Sequence, residues 1–158
     1  MTAKEIAGIK AAEFVDEGMV VGLGTGSTSF FAIKALGHRV KNGLNIKAIP
    51  TSEASEKLAL SLDIPLTNFE EHPAIDLTID GADEVDPNLD LIKGLGGALL
   101  REKIVALSTG RQIIIIDPSK KVKKLGTISP LPIEVIPFSW PLVFNELNER
   151  DLQPTIRR

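Results

Sequence analysis

Acidic, basic and glycine residues crowd one stretch of this chain, residues 80–103. The stretch opens with four carboxylates directly after an apolar run, and a lysine and a glycine-rich turn follow. Carboxylates can move protons or bind hydroxyls, an ammonium group can stabilise a developing negative charge, and glycines let backbone N–H groups approach a ligand. The stretch therefore indicates proton-transfer chemistry on a small polar ligand. Its members are Asp80, Asp83, Glu84, Asp86, Lys93, Gly94, Gly96, Gly97 and Glu102.

A second glycine-rich stretch, GLGTGST at residues 22–28, lies between an apolar run and a helical pattern. The hydroxyls of Thr25, Ser27 and Thr28, together with the free N–H groups of a helix start, can form an anion cradle, and phosphate is the favoured ligand group. The spacing fits neither the dinucleotide fingerprint nor a Walker loop. A plain strand-to-helix turn with a Ser/Thr cap is the alternative.

The elements that must position these residues alternate between apolar strands and amphipathic helices. This order predicts an α/β domain over residues 1–127, a parallel-type (Rossmann-like) sheet flanked by helices. In the predicted helix 98–107, Leu100, Ile104 and Leu107 have core spacing, so Glu102 is expected off the buried stripe. The predicted strands are 19–22, 45–49, 64–66, 75–80, 90–92 and a fully buried 113–116, and the other helices are 2–17, 29–36 and 53–61.

Four polar loops follow predicted strands, at residues 22–28, 50–53, 80–86 and 117–121. In a right-handed parallel sheet such loops lie along one edge. We therefore expect the hydroxyls, the carboxylates and Lys120 to share one site.

The sequence changes character near residue 128, where prolines become frequent. A strand over residues 133–138, a helix over 142–150 that begins after Pro141, and the start of a further strand after residue 152 are predicted. Residues 128–158 are therefore expected to lie outside the main sheet.

Composition excludes several classes of function. With no cysteine and only two separated histidines, the chain has no metal-ligand spacing, so we expect no metal. A net charge of −3 argues against nucleic acid as a partner. We expect no membrane segment either, since no apolar run approaches the length of a span, and the default location is the cytoplasm.

The motifs DGADEVD (80–86), KGLGGALLREK (93–103) and GLGTGST (22–28), in this register, resemble those of the type A ribose-5-phosphate isomerase family. TSEAS (51–55) and IDPSKK (116–121) strengthen the likeness. The resemblance implies interconversion of D-ribose 5-phosphate and D-ribulose 5-phosphate through a cis-enediolate, in the non-oxidative pentose phosphate pathway. It also implies a homodimer and no cofactor. Members of the family continue beyond the position of residue 158, so residues 128–158 are expected to be part of an incomplete, truncated small α+β domain.

The resemblance also implies a role for each matched residue. Glu102 is the expected base, and Lys93 with the N–H groups of residues 94–96 stabilises the oxyanion. Asp80 and Asp83 assist ring opening and bind hydroxyls. The residues expected to contact the sugar phosphate are Lys4, Thr25, Gly26, Ser27, Thr28, Asp80, Gly81, Ala82, Asp83, Lys93, Gly94, Leu95, Gly96 and Lys120.

Two rival functions stay open at this point. A non-catalytic phosphosugar-sensing domain has a similar sheet, but it does not need Glu102 and Lys93. An amino-sugar deaminase is a different phosphosugar enzyme, but no histidine lies near the carboxylates. His38 and His72 are expected to be surface residues without a role.

Overall fold

A computed structural model describes residues 1–157, so Arg158, the last residue of the predicted small domain, lies outside the described part. The strands are β1 Val20–Leu23, β2 Lys47–Pro50, β3 Ile75–Asp80, β4 Glu84–Val85, β5 Leu91–Ile92 and β6 Thr109–Ile114. The centre of the fold is a four-stranded parallel sheet in the order β2-β1-β3-β6, and β4 and β5 form a separate antiparallel pair. The helices are α1 Ala3–Ala12, α2 Ser29–Lys41, α3 Glu53–Ser61, α4 Leu99–Leu107 and α5 Trp140–Glu149, with a 3₁₀ turn at Pro118–Lys120.

Both faces of the sheet are covered, as the predicted α/β class requires. The larger apolar cluster joins strand residues such as Leu23 and Leu77 to α1 and α2, through Ala11 and Leu36. A smaller cluster contains Val105 of α4 together with Val20 and Ile49, which alternate along their strands with Val21 and Ala48 of the first cluster. Because alternate strand residues point to opposite faces, α4 lies on the other side of the sheet from α1 and α2.

Local sequence signals predicted the ends of several helices and strands. Thr2 and Glu5 form the expected capping box at α1, and the Ser52 side chain caps α3 by accepting from the N–H of Ser55. The predicted bounds of β3 and α3 match the structure. Helix α1 is shorter than expected and ends at Ala12, while the predicted strand at 64–66 makes only an isolated bridge from Leu66 to Ala48.

Three predictions about burial were wrong. The strand expected at 113–116 begins earlier, at Thr109, and is an edge strand whose central residues are exposed. In α4 the apolar stripe is turned outward, with Leu100, Ile104 and Leu107 58%, 44% and 75% exposed. The buried residues of α4 are Glu102 and Val105, so the expected placement of Glu102 off the core-facing side was also wrong.

The C-terminal segment contains one helix, α5, with Pro141 in its first turn as expected. The predicted strands at 133–138 and after residue 152 are wrong, because residues 128–157 contain no strand. The predicted strand at 90–92 forms as β5, but it pairs with β4 and not with the main sheet. The domain boundary at 127/128 stays a prediction. No helix formed by residues 1–157 has the length and hydrophobicity needed to cross a bilayer.

We predict that Gly24→Ala destabilises the fold. A Cβ at this position would lie 2.5 Å from Cα of Asp80 and closer still to the Asp80 carboxylate, so backbone must move. Overpacking of this kind costs about 1–3 kcal/mol, measurable by urea unfolding. The control is Gly110→Ala, whose added Cβ would meet nothing closer than 3.6 Å. Equal stability of the two variants would contradict the proposed close approach.

Candidate active site

The four polar loops meet at one edge of the sheet, as predicted. Thr25 is the centre of the contacts: its N–H donates to Asp80 Oδ1 at 3.1 Å, and its hydroxyl donates to Ser52 Oγ at 2.8 Å. Lys4 reaches across from α1, donating to Ser27 Oγ at 2.8 Å and lying 3.7 Å from Asp117 Oδ2. The carboxyl ends of β1, β2, β3 and β6 are therefore tied into one polar surface.

The centre of this edge is a buried cluster of two carboxylates and one ammonium group. Lys93 Nζ donates to Asp80 Oδ2 at 2.9 Å and to the carbonyl oxygen of Gly81 at 2.5 Å, and it lies 3.3 Å from Glu102 Oε2. Asp80 is 0% exposed and Glu102 is 5% exposed. Strand β3 therefore supplies one carboxylate, α4 the other, and the residue after β5 supplies the cation between them.

Glu102 is the less well compensated of the two carboxylates. Its Oε2 is buried and has no hydrogen-bond partner of good geometry in the described chain, although the Lys93 ammonium is near. Burial raises the pKa of Glu102, and the negative charges of Asp80 and Asp83 raise it further, while Lys93 lowers it; the net shift is upward. A carboxylate with a raised pKa is a stronger base, which suits it to accept a proton from a weakly acidic carbon.

Asp80 is saturated by contacts within the protein. Its Oδ1 accepts hydrogen bonds from the N–H groups of Thr25 and Gly81, and its Oδ2 accepts from Lys93. The carboxylate thus fixes the lysine and the turn after β1. A direct contact of Asp80 with a substrate hydroxyl stays a prediction.

Asp83 organises the glycine turn that follows Lys93. Its Oδ2 accepts from the N–H of Leu95 at 2.9 Å, so this expected oxyanion donor is already used within the protein. The N–H groups of Gly94 and Gly96 donate to no acceptor within residues 1–157. Ala82 and Gly81 are half-buried in the loop that leads from Asp80 to Asp83.

The loop before α2 presents a different surface. Gly26 and Ser27 are exposed, and Thr28 precedes α2 without a side-chain cap bond. The N–H groups of Ser27 and Thr28 have no acceptor in the described chain, so they are available to an anion. The Thr25 hydroxyl, in contrast, points into a hydroxyl cluster 2.7 Å from Thr51 Oγ1 and holds the loop in place.

The fourth loop supplies Lys120, which is half-buried in the 3₁₀ turn. Hydrogen bonds from Ser119 hold the pKa of Asp117 below its ordinary value against the opposing effect of burial, and Lys4 and Lys120 contribute to the lowering. The ionised Asp117 therefore helps to hold Lys4 near the loop at residues 22–28.

Sequence reasoning missed the role of Glu84, which it treated only as one of four clustered acids. Glu84 is 0% exposed and accepts hydrogen bonds from the N–H groups of Gly126, Ile128 and Ser129. Burial alone would raise the pKa of Glu84, but these hydrogen bonds lower it below its ordinary value. No pattern in the sequence linked this residue to a segment more than forty positions away.

The fold and the site together define a class: an α/β protein whose parallel sheet carries a buried carboxylate–ammonium cluster at the same edge as a glycine-rich loop with unused N–H groups. A family model described as ribose 5-phosphate isomerase A (phosphoriboisomerase A) matches residues 47–158. A relative from Bacillus mycoides, ribose-5-phosphate isomerase A, is 59% identical over 140 residues and covers 89% of this chain. The chain belongs to the ribose 5-phosphate isomerase A family.

Solved structures agree with this assignment. A D-ribose-5-phosphate isomerase in complex with phospho-erythronic acid superposes with a TM-score of 0.91 at 45% identity, over 94% of this chain and 66% of that one. Ribose 5-phosphate isomerase A from Methanocaldococcus jannaschii gives a TM-score of 0.90 at 41% identity, over 94% and 67%. The chain spans 63% of the length of the Bacillus mycoides relative.

We predict that Lys93→Met makes stability strongly dependent on pH. Removing the cation leaves two buried carboxylates unpaired and raises the pKa of Glu102 further above its unfolded-state value. Because a raised carboxyl pKa favours the folded state only while the group is protonated, the variant loses stability as pH rises from the unfolded-state pKa of Glu102 through its higher folded-state pKa. We expect a deficit of about 3 kcal/mol at pH 8 that shrinks toward pH 5, measured by urea unfolding.

The control for this prediction is Lys103→Met, which removes an exposed lysine from the same helix. Its stability should differ little from that of the parent chain at either pH. A deficit of equal size at both pH values in Lys93→Met would contradict the buried-charge interpretation.

Proposed function

We propose that this protein interconverts D-ribose 5-phosphate and D-ribulose 5-phosphate. The observation that carries the proposal is the buried Glu102, with its raised pKa, held beside Lys93 on the same sheet edge as the anion-binding loop. A base, a cationic stabiliser and a phosphate site are the three elements that an aldose–ketose isomerisation of a sugar phosphate requires. Membership of the isomerase family supports the same reaction.

In the proposed mechanism Glu102 moves one proton between two carbons. With the open-chain aldose bound, the Glu102 carboxylate removes the proton from C2, and the C2–H electron pair forms the C1–C2 double bond of a cis-enediolate. The same carboxyl group then returns the proton to C1 as the C2 carbonyl forms, and the hydroxyl proton passes from O2 to O1. No oxidant or reductant is consumed.

The negative charge of the enediolate needs a stabilising group that is already in place. Lys93 is fixed by Asp80 and the Gly81 carbonyl oxygen, so its ammonium group requires little reorganisation during the reaction. The N–H groups of Gly94 and Gly96 are proposed to add donors to the oxyanion, and Asp83 to contact a sugar hydroxyl. Asp80 is proposed to act mainly through the position of Lys93.

The phosphate is proposed to bind at Gly26–Thr28, where N–H groups are unused, with Lys4 and Lys120 as cationic partners. The complex of a related isomerase with phospho-erythronic acid supports a phosphorylated sugar as the ligand. The reaction as proposed requires no metal or cofactor.

No observation favours the rival function of a non-catalytic sensor, which would gain nothing from an incompletely compensated buried glutamate.

On family grounds we also propose that the protein acts in the cytoplasm as a homodimer. Sedimentation at several concentrations tests the dimer, and a monomer at all of them would overturn it.

The base assignment predicts that Glu102→Gln lowers kcat by several orders of magnitude. The amide has nearly the shape of the carboxylate but cannot accept the carbon-bound proton, so binding of the sugar phosphate should change little. A coupled assay of ribulose 5-phosphate formation gives kcat, and calorimetry with ribose 5-phosphate gives Kd. The control is Lys103→Gln on the same helix, and turnover by Glu102→Gln at the control rate would eliminate Glu102 as the base.

The same assays should be run on a chain extended to the length of the family relatives. Catalysis by the extended chain alone would support the proposed reaction and assign a necessary role to the extension. Absence of catalysis in both chains, with both folded, would overturn the proposed function.

The phosphate site predicts a different kinetic effect for Lys120→Ala. Loss of a cation that contacts only the phosphate should raise KM about tenfold and leave kcat nearly unchanged, since the phosphate does not change in the reaction. Lys124→Ala, an exposed residue of the same lysine run, is the control and should leave KM unaltered. A reduction in kcat alone would contradict the assignment of Lys120 to the phosphate.

A further inference from the structure

Glu84 binds a distant part of the chain with an unusually complete set of hydrogen bonds. Its Oε1 accepts from the N–H groups of Ile128 and Ser129, both at 2.5 Å, and its Oε2 accepts from Gly126 at 2.6 Å. Gly126 has φ +80°, a conformation that lets the backbone curl around the carboxylate. A fully buried charge with three backbone donors holds its binding segment firmly.

The segment 126–134 continues from this anchor to two parts of the candidate active site. Pro132 packs against the turn after Lys93, since a Cβ added at Gly94 would lie 3.2 Å from Pro132 Cβ. Two residues later, Glu134 Oε2 accepts a hydrogen bond from the N–H of Leu100 at 2.8 Å. One short segment therefore contacts both the glycine turn and the start of α4.

The contact with Leu100 matters because α4 lacks a cap of its own. Its N-cap residue is Ala98, which has no side chain able to accept a hydrogen bond. The carboxylate of Glu134 acts as the missing cap by accepting the hydrogen bond from Leu100, although Glu134 is not part of the helix. Its negative charge is also favourable near a helix N-terminus. Glu102 lies in the turn that this cap stabilises, and its own N–H donates to the Ala98 carbonyl oxygen at 2.9 Å.

Strand β4 places Glu84 next to the other half of the site. Glu84 pairs with Ile92 of β5, the residue before Lys93, and its neighbour Asp83 accepts from Leu95. On its other side Val85 accepts a hydrogen bond from the N–H of Val122, just beyond Lys120. Glu84 thus lies between two structural parts: the β4–β5 pair, which precedes Lys93, and segment 126–134, which contacts the turn of α4 that carries Glu102.

Building on the proposed isomerase function, we propose that Glu84 and Glu134 are positioning residues. Glu84 anchors segment 126–134 through its backbone N–H groups. Glu134, near the end of that segment, fixes the first turn of α4, so that Glu102 stays at its distance from Lys93. Neither residue needs to touch the substrate.

The test compares four variants of this chain, or of the extended chain if only that one catalyses. Glu84→Gln turns an acceptor into an amide that faces backbone donors, and Glu134→Ala removes the acceptor of the Leu100 N–H. Glu134→Gln keeps an acceptor oxygen and should rescue function. Glu149→Ala removes an exposed carboxylate from α5 and is the control.

We expect Glu84→Gln and Glu134→Ala to lower kcat about 10- to 100-fold, because small displacements of a catalytic group have large effects on rate. KM should change by less than about threefold, and Glu134→Gln and Glu149→Ala should retain kcat within about twofold. A rise in KM with unchanged kcat would overturn the positioning role.

A second measurement separates positioning from simple loss of folded protein. Carbon NMR reports the titration of the Glu102 carboxyl, which is faced by Lys93, Asp80 and Asp83. If its turn loosens, water enters and the pKa of Glu102 falls toward its ordinary value, so the acid limb of the kcat profile moves to lower pH. A lower kcat with an unmoved titration would show only a smaller active fraction and would overturn the proposal.

The NMR titration does not depend on turnover. If neither parent chain isomerises ribose 5-phosphate, the proposed function fails, and a downward shift of the Glu102 titration in the variants still supports the structural part. An unchanged titration overturns that part too. Should Glu84→Gln not fold, Glu134→Ala decides, because it leaves the buried anchor intact.

Discussion

The structure depends on one ammonium group shared by two buried carboxylates. Lys93 donates a hydrogen bond to Asp80 and makes a longer contact, without good hydrogen-bond geometry, with Glu102. The ammonium group offsets part of the cost of burying the two carboxylates, because the cost of burying an isolated charge is large. The sheet, the β4–β5 pair and α4 must therefore all be folded for the cluster to exist, and the cluster in turn joins them.

This sharing gives the two carboxylates different chemistry. Asp80 has every oxygen occupied by donors, so it is an anchor. Glu102 has an oxygen without a hydrogen-bond partner and a pKa raised by burial and by its acidic neighbours. An incompletely compensated carboxylate is unfavourable for stability, but it is suited to accept a proton. Stability and reactivity are thus divided between two residues that contact the same lysine.

Sequence reasoning succeeded where the local signal was strong. The alternation in Ile75–Asp80 and the cap at Ser52 defined β3 and α3, and the shared edge of four loops followed from parallel topology. It failed where burial depends on neighbours distant in the chain: the apolar residues of α4 suggested an inward face, yet Glu102 is the buried one. The motifs grouped Glu102 with Lys93 and Asp80, and these side chains are neighbours in the structure. The raised pKa of Glu102, however, depends on three-dimensional contacts that spacing alone does not reveal.

Glu84 and Glu102 show how little residue type and burial determine by themselves. Both are buried glutamates, yet the pKa of Glu84 lies below its ordinary value and that of Glu102 above it. The difference lies in their donors, since three fixed N–H groups stabilise the charge of Glu84 and only a shared cation stabilises that of Glu102. A carboxylate held by backbone donors cannot easily take up a proton, and this makes Glu84 a support. Glu102 can take one up, and the segment anchored by Glu84 keeps it where that ability is useful.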